Sequence, residues 1–391
     1  MSQPGYARAV SSDHAGRRLD VDRILADPGV RIVVCCGSGG VGKTTTAAAL
    51  ALRAAERHGR RTVVLTIDPA RRLAQSLGLT ELDNTPRQVK GIEADESGGE
   101  LHAMMLDMKR TFDEVVLAHT DPARATEIFA NPFYQAMSST FSGTQEYMAM
   151  EKLGQLHARG EWDLIVVDTP PSRSALDFLD APARLSRFLD GRMLRLLLAP
   201  ARAGGRSMFS LVTASFGMFS RVVQKVLGAQ LLTDLSGFVA ALDSMFGGFR
   251  QRAEQTYRIL QARETAFLLV AAPEPDAVRE AAYFAGRLGE ERMPLAGLVL
   301  NRVHRTTVDG LTAERSRTAA DELERAGGNE ATTDALRVHA ALAELAAREQ
   351  RVAAVFTDAY PAVPTVEVAA QPADVHDVDG LRTVGNALSR P

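Results

Sequence analysis

Ten residues near the start constrain this chain more than any others: Cys36-Gly37-Ser38-Gly39-Gly40-Val41-Gly42-Lys43-Thr44-Thr45. Four free positions separate Gly37 from Gly42-Lys43-Thr44, the spacing of a phosphate-binding loop. The apolar run Val30-Arg31-Ile32-Val33-Val34-Cys35 precedes the loop and reads as a buried strand. An Ala/Leu-rich helix former, Thr46 to Ala55, follows it. In such a turn, backbone N–H groups close around phosphate oxygens and the helix N-terminus adds partial positive charge. Gly37, Ser38, Gly39, Gly40, Val41, Gly42, Lys43, Thr44 and Thr45 are therefore the expected phosphate cradle. Lys43 is expected to reach the β- and γ-phosphates, and the Thr44 hydroxyl to ligate Mg²⁺. The pattern predicts binding of a nucleoside triphosphate.

A chain of 391 residues with 46% apolar content can bury a sizeable core. Its 45 basic and 48 acidic side chains nearly cancel, leaving −3. That balance lacks the basic excess of nonspecific nucleic-acid binding, so no nucleic-acid partner is expected. The two cysteines, Cys35 and Cys36, are adjacent. They form neither a spaced metal pair nor a disulfide framework. The N-terminus lacks an apolar leader core, and the longest apolar stretch, Ser207 to Ser220, falls short of a membrane span. The expectation is a soluble, cytoplasmic protein.

Apolar runs recur at 61–67, 162–167, 266–270 and 298–300, alternating with helical patterns. Strands apolar throughout and separated by helices predict an α/β fold with a mostly parallel central sheet covered by helices. The expected organisation is a flexible tail over residues 1–28 and a single nucleotide-binding domain over 29–391. Within it, 108–160 and 183–262 read as helical inserts rich in Met and Phe. Leu231, Leu232, Leu235 and Phe238 recur at three- and four-residue steps, as an amphipathic helix requires. Residues 312–355 read as helical with a Gly327-Gly328 break, and 364–388 as a short strand, a polar loop and a closing helix.

Each apolar run delivers a polar residue at its C-terminal end, where ligands sit in such sheets. Asp168 is the candidate to hold Mg²⁺ through water beside the transferred phosphoryl group. Asp68 is the candidate to position or deprotonate the attacking water, with a helix N-cap as its alternative. Asn301 is a candidate reader of the base edge, or an ordinary turn residue. Gln145, Glu146 and Trp162 are assigned packing or surface roles.

These motifs resemble the arsenite-pump ATPase family, which includes the ATPases that target tail-anchored membrane proteins. The matching residues are Gly37 to Thr45, the first switch Thr66-Ile67-Asp68-Pro69-Ala70 and the second switch Asp168-Thr169-Pro170-Pro171. Asn301 and the loop Asp374-Val375-His376-Asp377 also match. The likeness spans roughly residues 30–388 and is nearest to the actinobacterial branch. It implies a P-loop ATPase that uses ATP and Mg²⁺, with Lys43, Asp68 and Asp168 catalytic. It also implies a dimer that switches between open and closed forms, gripping apolar client segments in a groove built from helical inserts. For residues 205–250, groove, ordinary core and a permanent interface with a sibling subunit all stand open. A membrane-associated partner would make the protein peripherally membrane-associated.

The chain departs from the family in ways that bear on function. Relatives carry a second Lys, reaching the partner's phosphates, where Ser38 stands. The targeting ATPases carry a His where Ser174 stands, and their Cys-x-x-Cys zinc clasp is absent, as are the pump's arsenite-binding cysteines. Loss of the cross-site Lys suggests pairing with a paralogous ATPase chain, or low intrinsic turnover; Arg71 or Arg72 are alternative sources of the missing charge. A ParA/MinD-like positioning ATPase and a small-molecule kinase are the competing readings.

Overall fold

The apolar runs become the middle of one 8-stranded sheet with the order β3-β4-β2-β5-β1-β6-β7-β8. The structure is a computed structural model. It describes residues 18–68, 72–93, 98–132, 134–135, 138, 144–170, 251–306, 308 and 310–389. The strands are β1 (Ile32–Cys36), β2 (Arg61–Thr66), β3 (Arg87–Gln88), β4 (Glu100–Met105), β5 (Leu164–Asp168), β6 (Thr265–Ala271), β7 (Leu295–Val303) and β8 (Thr365–Ala369). All pairings are parallel except β3 with β4 at one edge. Every residue of β1, β5 and β6 is buried, as a sheet covered on both faces requires.

Parallel neighbours need crossovers, and helices supply them. Helix α1 (Val21–Ala26) precedes β1, α2 (Lys43–His58) joins β1 to β2, and α3 (Arg72–Ser76) follows β2. After β6 come α7 (Pro275–Glu290), α8 (Ala313–Arg325), α9 (Glu330–Ala359) and α10 (Val378–Ser389), where α4 (Met108–His119), α5 (Pro122–Ala130) and α6 (Thr144–Arg159) lie between β4 and β5. The alanines of α2 let α10 approach closely: a Cβ on Gly385 would lie 3.4 Å from the Ala49 carbonyl oxygen. Leu381, Val384 and Leu388 of α10 complete the apolar layer on that face.

The expected tail over residues 1–28 includes a segment that is packed on the core. Leu19, Val21 and Leu25 are buried in the core, Asp20 caps α1, and Asp22 pairs with Arg53 at 2.6 Å. Three apolar side chains too sparse for a periodicity signal anchor this segment. The sequence reading proposes no strand over Glu100–Met105, yet Met104 and Met105 belong to β4 of the sheet. Methionine is a good helix former, so tertiary pairing with β2 overrides its propensity. Trp162 is 4% exposed, its ring 4.8 Å from that of His102 and beneath the Arg61 guanidinium.

The chain divides into two compact units. One is drawn from Met1–Met105, Arg159–Leu176 and Ile259–Pro391 and carries the sheet. The other is drawn from Leu106–Ala158 and Asp177–Arg258 and is helical where described. In that second unit Met148 and Met150 are wholly buried, and Tyr134 packs edge-on to Phe112 while donating to Asp113 at 2.7 Å. Glu151 accepts two bonds from Arg252, each 3.0 Å. The Leu231–Phe238 series, Ser174, Arg71, the 205–250 stretch and the side chains of Gln145 and Glu146 lie outside the described residues. Among the described residues, no helix is long and apolar enough to cross a membrane.

Candidate functional site

Strand β1 hands the chain to the glycine-rich turn at Cys36, and α2 takes it up at Lys43. Two glycines are sterically required there. A Cβ on Gly37 would lie 2.0 Å from the backbone oxygen of Val270 in β6. Gly42 has φ of 93°, and a Cβ there would lie 2.3 Å from the Asn301 amide nitrogen. Gly39 and Gly40 form the exposed crest, with Val41 buried beneath them. Thr45 is half-buried in the first turn of α2, whose free N–H groups face the turn.

Lys43 is 5% exposed and donates to the Ser38 carbonyl oxygen at 2.7 Å. Burial lowers the pKa of its ammonium, while the charges of Asp168 and Asp68 oppose that shift. Both carboxylates thus sit within electrostatic reach of the lysine. The register sets Asp168 of β5 level with Cys35 of β1 and Thr66 of β2. Thr44 donates to Asp168 Oδ2 at 2.7 Å, and Thr66 donates to the same oxygen at 2.9 Å. Burial raises Asp168 to about 6, against the lowering effects of these two bonds and of Lys43.

The donor set fits a magnesium ion. With its proton turned to Asp168, the Thr44 hydroxyl keeps lone pairs free for a cation. Asp168 Oδ1 is buried and has no hydrogen-bond partner among the described residues, so it is free to accept from metal-bound water.

Asn301 sits inside β7, which runs on to Val303, and its amide nitrogen donates to the Val41 carbonyl oxygen at 2.9 Å. It braces the turn from behind, leaving its carbonyl oxygen and its second amide hydrogen to meet a base. Arg302 beside it takes φ of 61°, where the register between β7 and β8 shifts. The Ser38 hydroxyl is buried without a partner among the described residues. Arg72 is exposed at the start of α3. The cysteines line the strand core, where burial pushes the Cys36 thiol up to about 12 and raises Cys35 as well. Both stay protonated and unreactive. Sequence reasoning places Thr66 in the first switch but gives it no role of its own at the site. The available signal was a hydroxyl ending an otherwise apolar run two residues before Asp68.

A strand, a glycine turn, a helix N-terminus and a carboxylate held beside the turn's lysine define a P-loop nucleotide-binding fold. Sequence comparison narrows that class. Residues 30–324 match the family described as "Anion-transporting ATPase", and the chain belongs to that family. It is similar to "ATPase GET3" of Malassezia globosa, at 29% identity over 43% of this chain and 47% of that protein. An uncharacterized Streptomyces coelicolor protein is 33% identical over 46% of this chain and 43% of its own length. "ATPase GET3B" of Arabidopsis thaliana is 25% identical over 68% of this chain and 62% of its own length. The chain spans less than two thirds of the length of each of these relatives.

Proposed function

We propose that this chain is a Mg²⁺-dependent ATPase of the arsenite-pump and tail-anchored-protein-targeting type, nearest its actinobacterial branch, that couples ATP binding and hydrolysis to partner or client binding. The single observation that carries the reading is the paired arrangement of Lys43 on the Ser38 carbonyl and Thr44 on Asp168. The Lys43 ammonium is already inside the loop, and a short rotation off the Ser38 carbonyl turns it to the β- and γ-phosphates of ATP. Thr44 and, through water, Asp168 would hold Mg²⁺, which neutralises charge on the phosphate oxygens. Asp68 orients the attacking water and accepts its proton. The bond from the γ-phosphorus to the bridging oxygen breaks as the new bond to water oxygen forms, leaving ADP and phosphate.

The working assembly in this reading is a dimer, of two copies or with a paralogous ATPase chain, acting in the cytoplasm on apolar client segments or a membrane-associated partner. The buried Ser38 hydroxyl favours the paralogue, because a serine at that position carries no charge to a neighbour's phosphates. The test is phosphate release by the purified chain beside Lys43→Ala. Hydrolysis is expected to fall by at least about a hundredfold, the order seen when a transition-state charge donor is removed. Full activity in Lys43→Ala would overturn the assignment.

A further inference from the structure

Thr66 is 1% exposed at the end of β2, and its hydroxyl joins the two acidic strand ends of the site. It donates to Asp168 Oδ2 at 2.9 Å and accepts from the Asp68 backbone N–H at 3.2 Å. The Ile67 N–H adds a second tie, donating to the Asp168 carbonyl oxygen at 3.0 Å. Asp168 Oδ2 is therefore engaged by two hydroxyls, Thr44 and Thr66, while Oδ1 has no partner among the described residues. A carboxylate held by Thr44 alone would be free to turn about its terminal bond, bringing either oxygen to the cation. Held by both, it presents one defined oxygen.

We propose that Thr66 is a positioning residue for this chain's chemistry: its hydroxyl orients the Asp168 carboxylate toward metal-bound water and ties that orientation to the backbone of Asp68. The inference rests on the ATPase reading above and deepens it. In the Thr44 bond the hydroxyl proton is committed to Asp168, so that bond persists when the Thr44 oxygen meets a cation. Thr66 then supplies the second point of attachment. Its bond to the Asp68 N–H means that β2 cannot shift that residue without disturbing Asp168, so cation site and candidate water-orienting group are placed as one unit.

The experiment compares wild type with Thr66→Val, which replaces the hydroxyl by a methyl group, and with Thr66→Ser, which restores it. Affinity for a non-hydrolysable ATP analogue is measured by calorimetry in Mg²⁺ and in EDTA, together with kcat and KM for ATP. Thr66→Val is expected to match wild type within about twofold in EDTA while losing about tenfold of the affinity gained from Mg²⁺, the usual cost of removing an outer-shell partner. Its kcat falls and its KM for ATP in Mg²⁺ rises in step with the lost Mg²⁺-dependent affinity, and Thr66→Ser recovers wild-type values. Thermal unfolding without nucleotide checks that each variant is folded. If the valine variant does not fold, Thr66→Cys, which keeps only a weak donor, carries the same expectation. A wild-type Mg²⁺ gain and kcat in the folded variant without a strong donor would overturn the proposal, as would a serine variant as impaired as the valine one. A wild-type protein with no Mg²⁺ gain and no hydrolysis would instead overturn the ATPase reading.

Discussion

Asp168 is held under electrostatic tension in the described nucleotide site. Its carboxyl rises from 3.8 to about 6 because burial penalises the charged form more than two hydroxyls and Lys43 favour it. The folded state thus holds this proton more tightly than the unfolded chain. Asp168's contribution to stability is complete below about pH 4 and lost as pH rises through about 6, a swing of roughly 3 kcal/mol. Asp168→Asn removes the titration. Urea unfolding without nucleotide or Mg²⁺ should show wild type losing up to about 3 kcal/mol relative to the asparagine variant between pH 4 and pH 7. Parallel pH profiles for the two proteins would contradict the shift. Mg²⁺ favours the ionised form, so Mg·nucleotide affinity should weaken as pH falls below about 6.

At the level of elements, the turn is held between three strands. β1 feeds it, β6 crowds it through the Val270 carbonyl, and β7 braces it through Asn301 and Val41. The backbone of a central parallel strand has no room to yield. Gly37→Ala is therefore expected to destabilise the protein by roughly 3 kcal/mol, at the upper end of ordinary substitutions, and to abolish nucleotide binding. Denaturant unfolding with calorimetric nucleotide titration checks both, and an alanine variant of native stability would refute the close packing. The Asn301 reading shifts at this scale too. As a turn-ending residue it offers a whole amide to a base; inside β7, one of its two N–H donors already serves the loop.

For the whole molecule, the open question is what completes the site. The family resemblance implies a dimer with a lysine where Ser38 stands, and here the Ser38 hydroxyl is buried. Ser38→Lys is expected to raise hydrolysis by the isolated chain by about tenfold or more if two copies face each other, since it restores a cation near developing charge. Phosphate release and light scattering with and without ATP read this out. An unchanged rate in an ATP-induced dimer would count against the cross-site account. The near-balance of charge, 45 basic against 48 acidic, leaves such an assembly without a strong electrostatic demand for nucleic acid.

The sequence alone determined the glycine-rich loop and the parallel sheet and picked out Lys43, Thr44 and Asp168 as candidates, because these depend on local spacing and on runs of apolar residues long enough to be unambiguous. Strand β4 and helix α1 were not legible. Glu100 to Met105 mixes charged, aromatic and flexible side chains, and α1 is too short to show a period. Only the tertiary structure decided that Thr66 meets Asp168, that Asn301 braces Val41 and that Trp162 lies against His102. Those contacts depend on which strands are neighbours and at what register. β5 lies between β1 and β2, and Thr66 stands level with Asp168 across 102 residues of sequence. No local pattern records a pairing made at that distance.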